Sequence, residues 1–128
     1  MRVLLDTHTA LWLAASDDRL PAGVTALMQD PATRPILSIA STWEMTIKAL
    51  AGRLHLPQEP PAYIDSLVRD FRFDTLPIEQ RHVDALCELP DIHRDPFDRI
   101  LIAQALADDL ELVTGDERFR AYPIKTIW

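Results

Sequence analysis

Apolar and polar positions along this chain fall into two alternating regimes. Short apolar runs of four to six residues are separated by longer stretches in which apolar residues recur at helical spacing. Arg2-Val3-Leu4-Leu5 reads as a buried strand leading into Asp6. Thr7 is placed to N-cap a helix through Ala10–Ala15, which Ser16-Asp17-Asp18 stops. Pro21 suits the first turn of a second helix carrying Val24, Leu27 and Met28, and Asp30-Pro31 breaks it. Pro35-Ile36-Leu37-Ser38-Ile39 is a second strand, and Ser41 opens a helix that runs through Trp43, Ile47 and Leu50 to Gly52.

Pro57, Pro60 and Pro61 mark a loop before a helix over about Ala62 to Asp70. Residues Phe71 to Leu76 alternate and predict a third strand; Ile78 to Leu89 predicts an amphipathic helix ended by Pro90. After the charged loop Asp91–Asp95, the helix from Pro96 to Asp109 is apolar on most faces and is expected to be central and covered. Leu112-Val113-Thr114 is a fourth strand, and Ile124–Ile127 a short fifth. Strands alternating with helices predict a single α/β domain over residues 1–128, a three-layer α/β/α arrangement with a parallel sheet of four to five strands. No internal repeat or low-complexity tract interrupts it.

That architecture gives four acidic residues a special place. Asp6 and Asp116 follow apolar strands, at the end where open α/β sheets bind ligands. Glu44 and Asp98 lie in the opening turns of predicted helices. Brought together, four carboxylates repel, and such a cluster tolerates burial only with protons or hard cations; oxygen ligands suit Mg²⁺ or Mn²⁺. Each acid also has a purely structural reading. Ser41-Thr42-Trp43-Glu44 fits a capping box, and Lys48 offers Glu44 a helix-face ion pair. Asp95-Pro96 reads as an N-cap followed by proline at N1, which leaves Asp98 favoured by the helix dipole alone. Asp6 can be a helix N-cap and Asp116 a turn former.

Composition adds bounds rather than a function. Apolar residues make up 48% and charged residues 26%, as in soluble globular proteins. The lone Cys87 excludes an internal disulfide and any cysteine-rich zinc motif. With no leader-like or membrane-length apolar segment, a cytoplasmic protein is expected. Thirteen Lys and Arg against twenty Asp and Glu give a net charge of −7, which argues against simple non-specific binding to nucleic acid and leaves a basic partner favoured by the field. His8, His55, His82 and His93 show no metal-ligand spacing and read as surface or capping residues. Lys48, Arg94 and Arg99 read first as solvated charges and only second as candidates for neutralising phosphates near the crevice. Trp12, Trp43 and Trp128 are too scattered for a base-stacking platform and read as packing, interface and terminal anchor.

The motifs in order are Leu4-Leu5-Asp6-Thr7-His8, Ser41–Lys48 with Trp43-Glu44, Arg94-Asp95-Pro96-Phe97-Asp98-Arg99, Ile102-Ala103-Gln104-Ala105 and Val113-Thr114-Gly115-Asp116. In this order and spacing the sequence resembles the PIN-domain family, specifically the VapC-like toxin ribonucleases of bacterial toxin–antitoxin pairs. The resemblance covers nearly the whole chain. It implies catalytic and metal-holding roles for Asp6, Glu44, Asp98 and Asp116, with Thr114 as supporting hydroxyl. It further implies an endoribonuclease using one or two Mg²⁺ or Mn²⁺ ions, a homodimer, and a VapB-like antitoxin that occludes the groove. Asp6, Asp98 and Asp116 would contact metal, and Glu44 would be a ligand or a water-orienting base.

Other classes fit less well. An aspartate-nucleophile phosphatase wants Asp-x-Asp, and Asp6-Thr7-His8 supplies no second aspartate. A receiver-like signalling module wants paired acids after the first strand and a late lysine, for which only Lys125 is available. A non-catalytic PIN-like RNA-binding module is disfavoured because all four acids are present.

Overall fold

A computed structural model of the chain describes residues 1–128. Five parallel strands, β1 (Arg2–Leu5), β2 (Arg34–Ser38), β3 (Asp74–Leu76), β4 (Glu111–Val113) and β5 (Thr126–Ile127), form one sheet in the order β3-β2-β1-β4-β5. Six helices connect and cover them: α1 (Thr7–Ala14), α2 (Ala22–Gln29), α3 (Ile39–Leu50), α4 (Pro60–Asp70), α5 (Gln80–Ala85) and α6 (Pro96–Ala107). This is the expected three-layer α/β/α fold. No helix is long and apolar enough to cross a membrane.

Alternation within the strands divides the core. Val3, Leu5, Leu37 and Val113 face one layer, packing with Ala10, Val24, Met45, Tyr63 and Leu67. Leu4, Ile36 and Leu112 face the other, against Ala85 and the apolar side of α6 from Ile100 to Ala105. Strands covered on both faces have no polar side, which is why β1 and β2 read as continuous apolar runs. The mostly apolar α6 is central, as its composition predicts.

Helix ends explain the differences from the sequence-based boundaries. Asp6, rather than Thr7, caps α1, its side chain accepting from Thr9 N. Ser38, rather than Ser41, caps α3 by accepting from Ala40 N, so α3 starts earlier and the predicted capping box does not form. The third strand shortens to Asp74–Leu76 because Phe71-Arg72-Phe73 terminate α4. Arg72 adopts φ 54°, and Phe73 N donates to Val68 O at 3.0 Å, the pattern of a Schellman end. The same device ends α1 at Ser16, α3 at Gly52 and α6 at Asp109. Only Gly52 carries the residue that announces it. The predicted Ile78–Leu89 helix is α5 followed by a 3₁₀ turn over Leu86–Glu88.

One polar junction ties α5 to α6. Asp108 accepts from Arg81 Nε at 2.8 Å, and its other oxygen lies 3.0 Å from Nε2 of the fully buried His82. Hydrogen bonding from Arg81, and then from His82, holds the Asp108 carboxyl down to about 2. The unfolded-state value is near 3.8, so this junction stabilises the fold above about pH 4 and is lost as pH falls towards 2. Asp108→Ala leaves the buried His82 Nε2 without a partner and should cost about 1–3 kcal/mol. Urea unfolding at pH 7 checks the cost; repeating it at pH 2.5 should show the gap between the two proteins narrowed.

Candidate active site

The strand order reverses between β1 and β4. The chain lays down β2 and β3 on one side of β1, then crosses to place β4 and β5 on the other. Ligands of open α/β sheets sit at such a switch point, beyond the carboxyl ends of the strands. Asp6 follows β1 there, and Thr114-Gly115-Asp116 follows β4.

The local chemistry fixes Asp6 from three sides. Its backbone N–H donates to Val113 O at 3.1 Å, extending the β1–β4 pairing by one rung. One carboxylate oxygen accepts from Thr9 N at 2.7 Å, and the other accepts from the Thr114 hydroxyl. The Thr114 hydroxyl oxygen in turn accepts from Asp116 N at 3.1 Å. Thr114 therefore links the two strand-end acids. Gly115 between them has no room for a side chain: a Cβ there would lie 2.7 Å from the Trp128 ring.

Glu44 reaches the groove from the interior of α3 and is only 3% exposed. Thr7 Oγ1 donates to its Oε1 at 2.7 Å, and Lys48 Nζ to its Oε2 at 2.5 Å. The expected Glu44–Lys48 pair thus forms, but on a buried carboxylate rather than at the surface. Asp98 comes from the first turn of α6. Asp95 caps that helix as predicted, accepting from Phe97 N at 2.8 Å and Asp98 N at 3.3 Å. Asp116 caps the 3₁₀ turn Glu117–Ala121 and is held by Arg118, whose Nη2 donates at 2.7 Å.

All four predicted acids line one open groove of about 500 Å³, together with His8, Lys48, His93, Arg94, Asp95 and Arg118. Arg99 is not among them. It turns inward to donate to the Pro90 and His93 carbonyls at 3.1 and 3.3 Å, so it braces the loop rather than meeting a phosphate. His93 corrects the opposite way. Expected at the surface, it is buried, with Nε2 2.9 Å from Asp98 Oδ2 and 3.7 Å from Asp116 Oδ2. Its only signal in the sequence is its place two residues before the cap of α6.

The charges are not equivalent. Asp116 is held below the usual carboxylate range, first by its hydrogen bond from Arg118. Asp98 is pushed up to about 7, first by burial, then by the charges of Asp95, Glu44, Asp6 and Asp116. Asp98 is thus the group on which burial and the negative charge of its neighbours act most strongly. The donor atoms of His93, Asp98 and Asp116 lie within 4.8 Å of one another. A crowded set of carboxylates, one of them pushed up by burial and by its neighbours' charges, suits a divalent cation.

Residues 3–125 match the PIN domain model. The chain belongs to the PIN domain family. Among curated proteins, this PIN domain is 28% identical over 131 residues to Ribonuclease VapC22 of Mycobacterium tuberculosis H37Rv, covering 98% of each chain. Its fold is shared with a chain of VapBC2 from Rickettsia felis bound to a promoter DNA fragment, with TM-score 0.76 at 14% identity over 100% of this chain and 99% of that one. A chain of VapBC-1 from nontypeable Haemophilus influenzae aligns with TM-score 0.67 and 16% identity over 99% and 97% of the two chains.

In the metal-free protein, folded Asp98 keeps its proton to about pH 7, whereas an ordinary aspartate loses it near 3.8. The folded state binds more protons between those values, so this group makes stability fall as pH rises from about 4 to about 7. Asp95→Asn keeps a competent N-cap while removing the largest neighbouring charge. It should move the Asp98 midpoint downward, as read by carboxyl ¹³C NMR titration. An unchanged midpoint would show that the Asp95 charge does not contribute to it.

Proposed function

We propose that this protein is a metal-dependent endoribonuclease, a hydrolase that acts in the cytoplasm as the toxin of a toxin–antitoxin pair. The observation that carries the reading is the convergence of Asp6, Glu44, Asp98 and Asp116 from four distant segments on one groove at the sheet's switch point. The relative VapC22 is named as a ribonuclease, and the chains of similar fold come from VapBC assemblies, which supports RNA as substrate and a VapB-like antitoxin as partner.

The acids are the catalytic and metal-holding set in this reading. Asp6, Asp98 and Asp116 would hold one or two Mg²⁺ or Mn²⁺ ions, and Glu44 would serve as a further ligand or orient the attacking water. When bound, the metal supplies an activated water and charge stabilisation at the scissile phosphate. The chain's own residues do the rest. Thr114 fixes the orientation of Asp6, and Thr7 and Lys48 hold Glu44 facing the groove. Lys48, Arg94 and Arg118 place positive charge beside the acids, where an RNA backbone would pass. Hydrolysis forms a bond from the water oxygen to phosphorus and breaks the bond to the 3′ oxygen. The products are a 5′-phosphate and a 3′-hydroxyl.

A homodimer is part of the proposal. Ile39, Trp43, Ile47 and Leu50 recur at helical spacing along one side of α3 and are all exposed, Leu50 by 79%. A run of large apolar side chains on one helix face marks a protein–protein surface.

Asp6→Asn keeps the cap on Thr9 N but removes the charge. RNA cleavage stimulated by Mn²⁺ and abolished by EDTA should fall by about 10²–10³-fold, and cleavage that persists in this variant would sink the proposal. Ile47→Glu with Leu50→Glu should convert a dimer to a monomer by light scattering while the far-ultraviolet circular dichroism is retained.

A further inference from the structure

His93 is held more firmly than a loop histidine needs to be. Its backbone N–H donates to Tyr122 Oη at 2.7 Å, its carbonyl accepts from Arg99 Nη1 at 3.3 Å, and its ring packs beside Phe119 with centroids 5.7 Å apart. The ring orientation is fixed by a further bond: Nδ1 accepts from Asp95 N–H at 3.2 Å. A ring nitrogen that accepts has a free lone pair, so in the neutral imidazole the hydrogen resides on Nε2. That Nε2–H has no solvent contact and no aligned acceptor, yet it lies 2.9 Å from Asp98 Oδ2 and 3.7 Å from Asp116 Oδ2. A buried donor without a partner is costly, and a small rotation of either carboxylate supplies one.

We infer that His93 is a positioning residue, whose Nε2–H steadies Asp98 and Asp116 in the groove, and that it is not a metal ligand. Spacing alone would let one ion bridge His93, Asp98 and Asp116. Coordination, however, requires the lone pair on Nε2, and the Asp95 N–H occupying Nδ1 assigns that lone pair to the other nitrogen. The backbone amide at the cap of α6 therefore sets the tautomer, and the tautomer turns the ring into a hydrogen-bond donor towards two acids that would otherwise only repel. Orientation of ligands by hydrogen bonds of this kind is worth about 10–100-fold in metal affinity. The inference rests on the metal-binding role proposed above only for this last consequence; the tautomer does not depend on it.

The ¹⁵N–¹H long-range correlation spectrum of the metal-free wild-type protein should show the Nε2–H tautomer for His93. Addition of Mg²⁺ should leave its Nε2 resonance in the protonated range. A Nδ1–H tautomer, or an Nε2 signal displaced by Mg²⁺ as a coordinated nitrogen is, would overturn the inference. His93→Phe preserves the ring but removes both nitrogens, and its Mn²⁺ dissociation constant should rise about 10–100-fold. His93→Gln returns a donor near the Nε2 position and should recover most of that loss. Equal Mn²⁺ affinity in wild type and both variants would also overturn it. If His93→Phe does not fold, the wild-type spectrum still decides. Absence of Mn²⁺ binding by wild type would defeat the nuclease reading, while the tautomer result stands by itself.

Discussion

The groove depends on one pairing: β1 lies beside β4, although their ends are more than a hundred residues apart in the chain. The Thr114–Asp6 hydrogen bond, spanning 108 residues, is its last polar link. Without that register, Asp6 and Asp116 are two unrelated turn formers. With it, the backbone rung from Asp6 N to Val113 O and the bond from Thr9 Oγ1 to the same carbonyl, each 3.1 Å, lock both strand ends into one platform. The sheet order then leaves a crevice above this platform, and α3 and α6 supply the remaining acids from either side.

Electrostatic repulsion would drive these carboxylates apart, and each is restrained by different chemistry. Asp6 is held only by neutral donors, a backbone N–H and a hydroxyl. Glu44 has a hydroxyl and an ammonium, and Asp116 has a guanidinium. Asp98 has no strong cationic partner, and burial, then the charges of Asp95, Glu44, Asp6 and Asp116, push its carboxyl up to about 7. The groove is therefore polarised, with its least compensated carboxylate next to the His93 Nε2–H. A divalent cation would relieve the repulsion that the protein leaves unresolved.

Several structural readings of single residues proved correct without removing those residues from the site. Asp6 does cap α1, Asp95 caps α6, and Asp116 caps a 3₁₀ turn. Each carboxylate oxygen has two lone pairs, so a cap that fixes the group still leaves acceptor capacity, and capping and groove placement coincide. Glu44 went the other way. The S-x-x-E pattern suggests a cap, but Ser38 opens the helix three residues earlier, and Glu44 is left inside α3 facing the groove. The competing caps Ser38 and Ser41 are both chemically adequate. The choice falls to tertiary context: Ser38 sits at the end of β2, with its hydroxyl also donating to the buried Gln104 at 2.5 Å.

The sequence by itself determined the element types, the apolar central strands, the strand-end positions of Asp6 and Asp116, and the cap at Asp95-Pro96. These are encoded in spacings of a few residues, where periodicity and backbone hydrogen-bonding needs act locally. It also held the ordered motifs that mark a PIN domain. Tertiary structure alone decided the strand order, the Schellman ends at Ser16, Arg72 and Asp109, the burial of Glu44, the inward turn of Arg99 and the place of His93. Each of these depends on which distant surfaces meet. A histidine is a surface residue until Tyr122, Phe119 and Arg99 enclose it, and no local pattern in Ile92-His93-Arg94 specifies that enclosure.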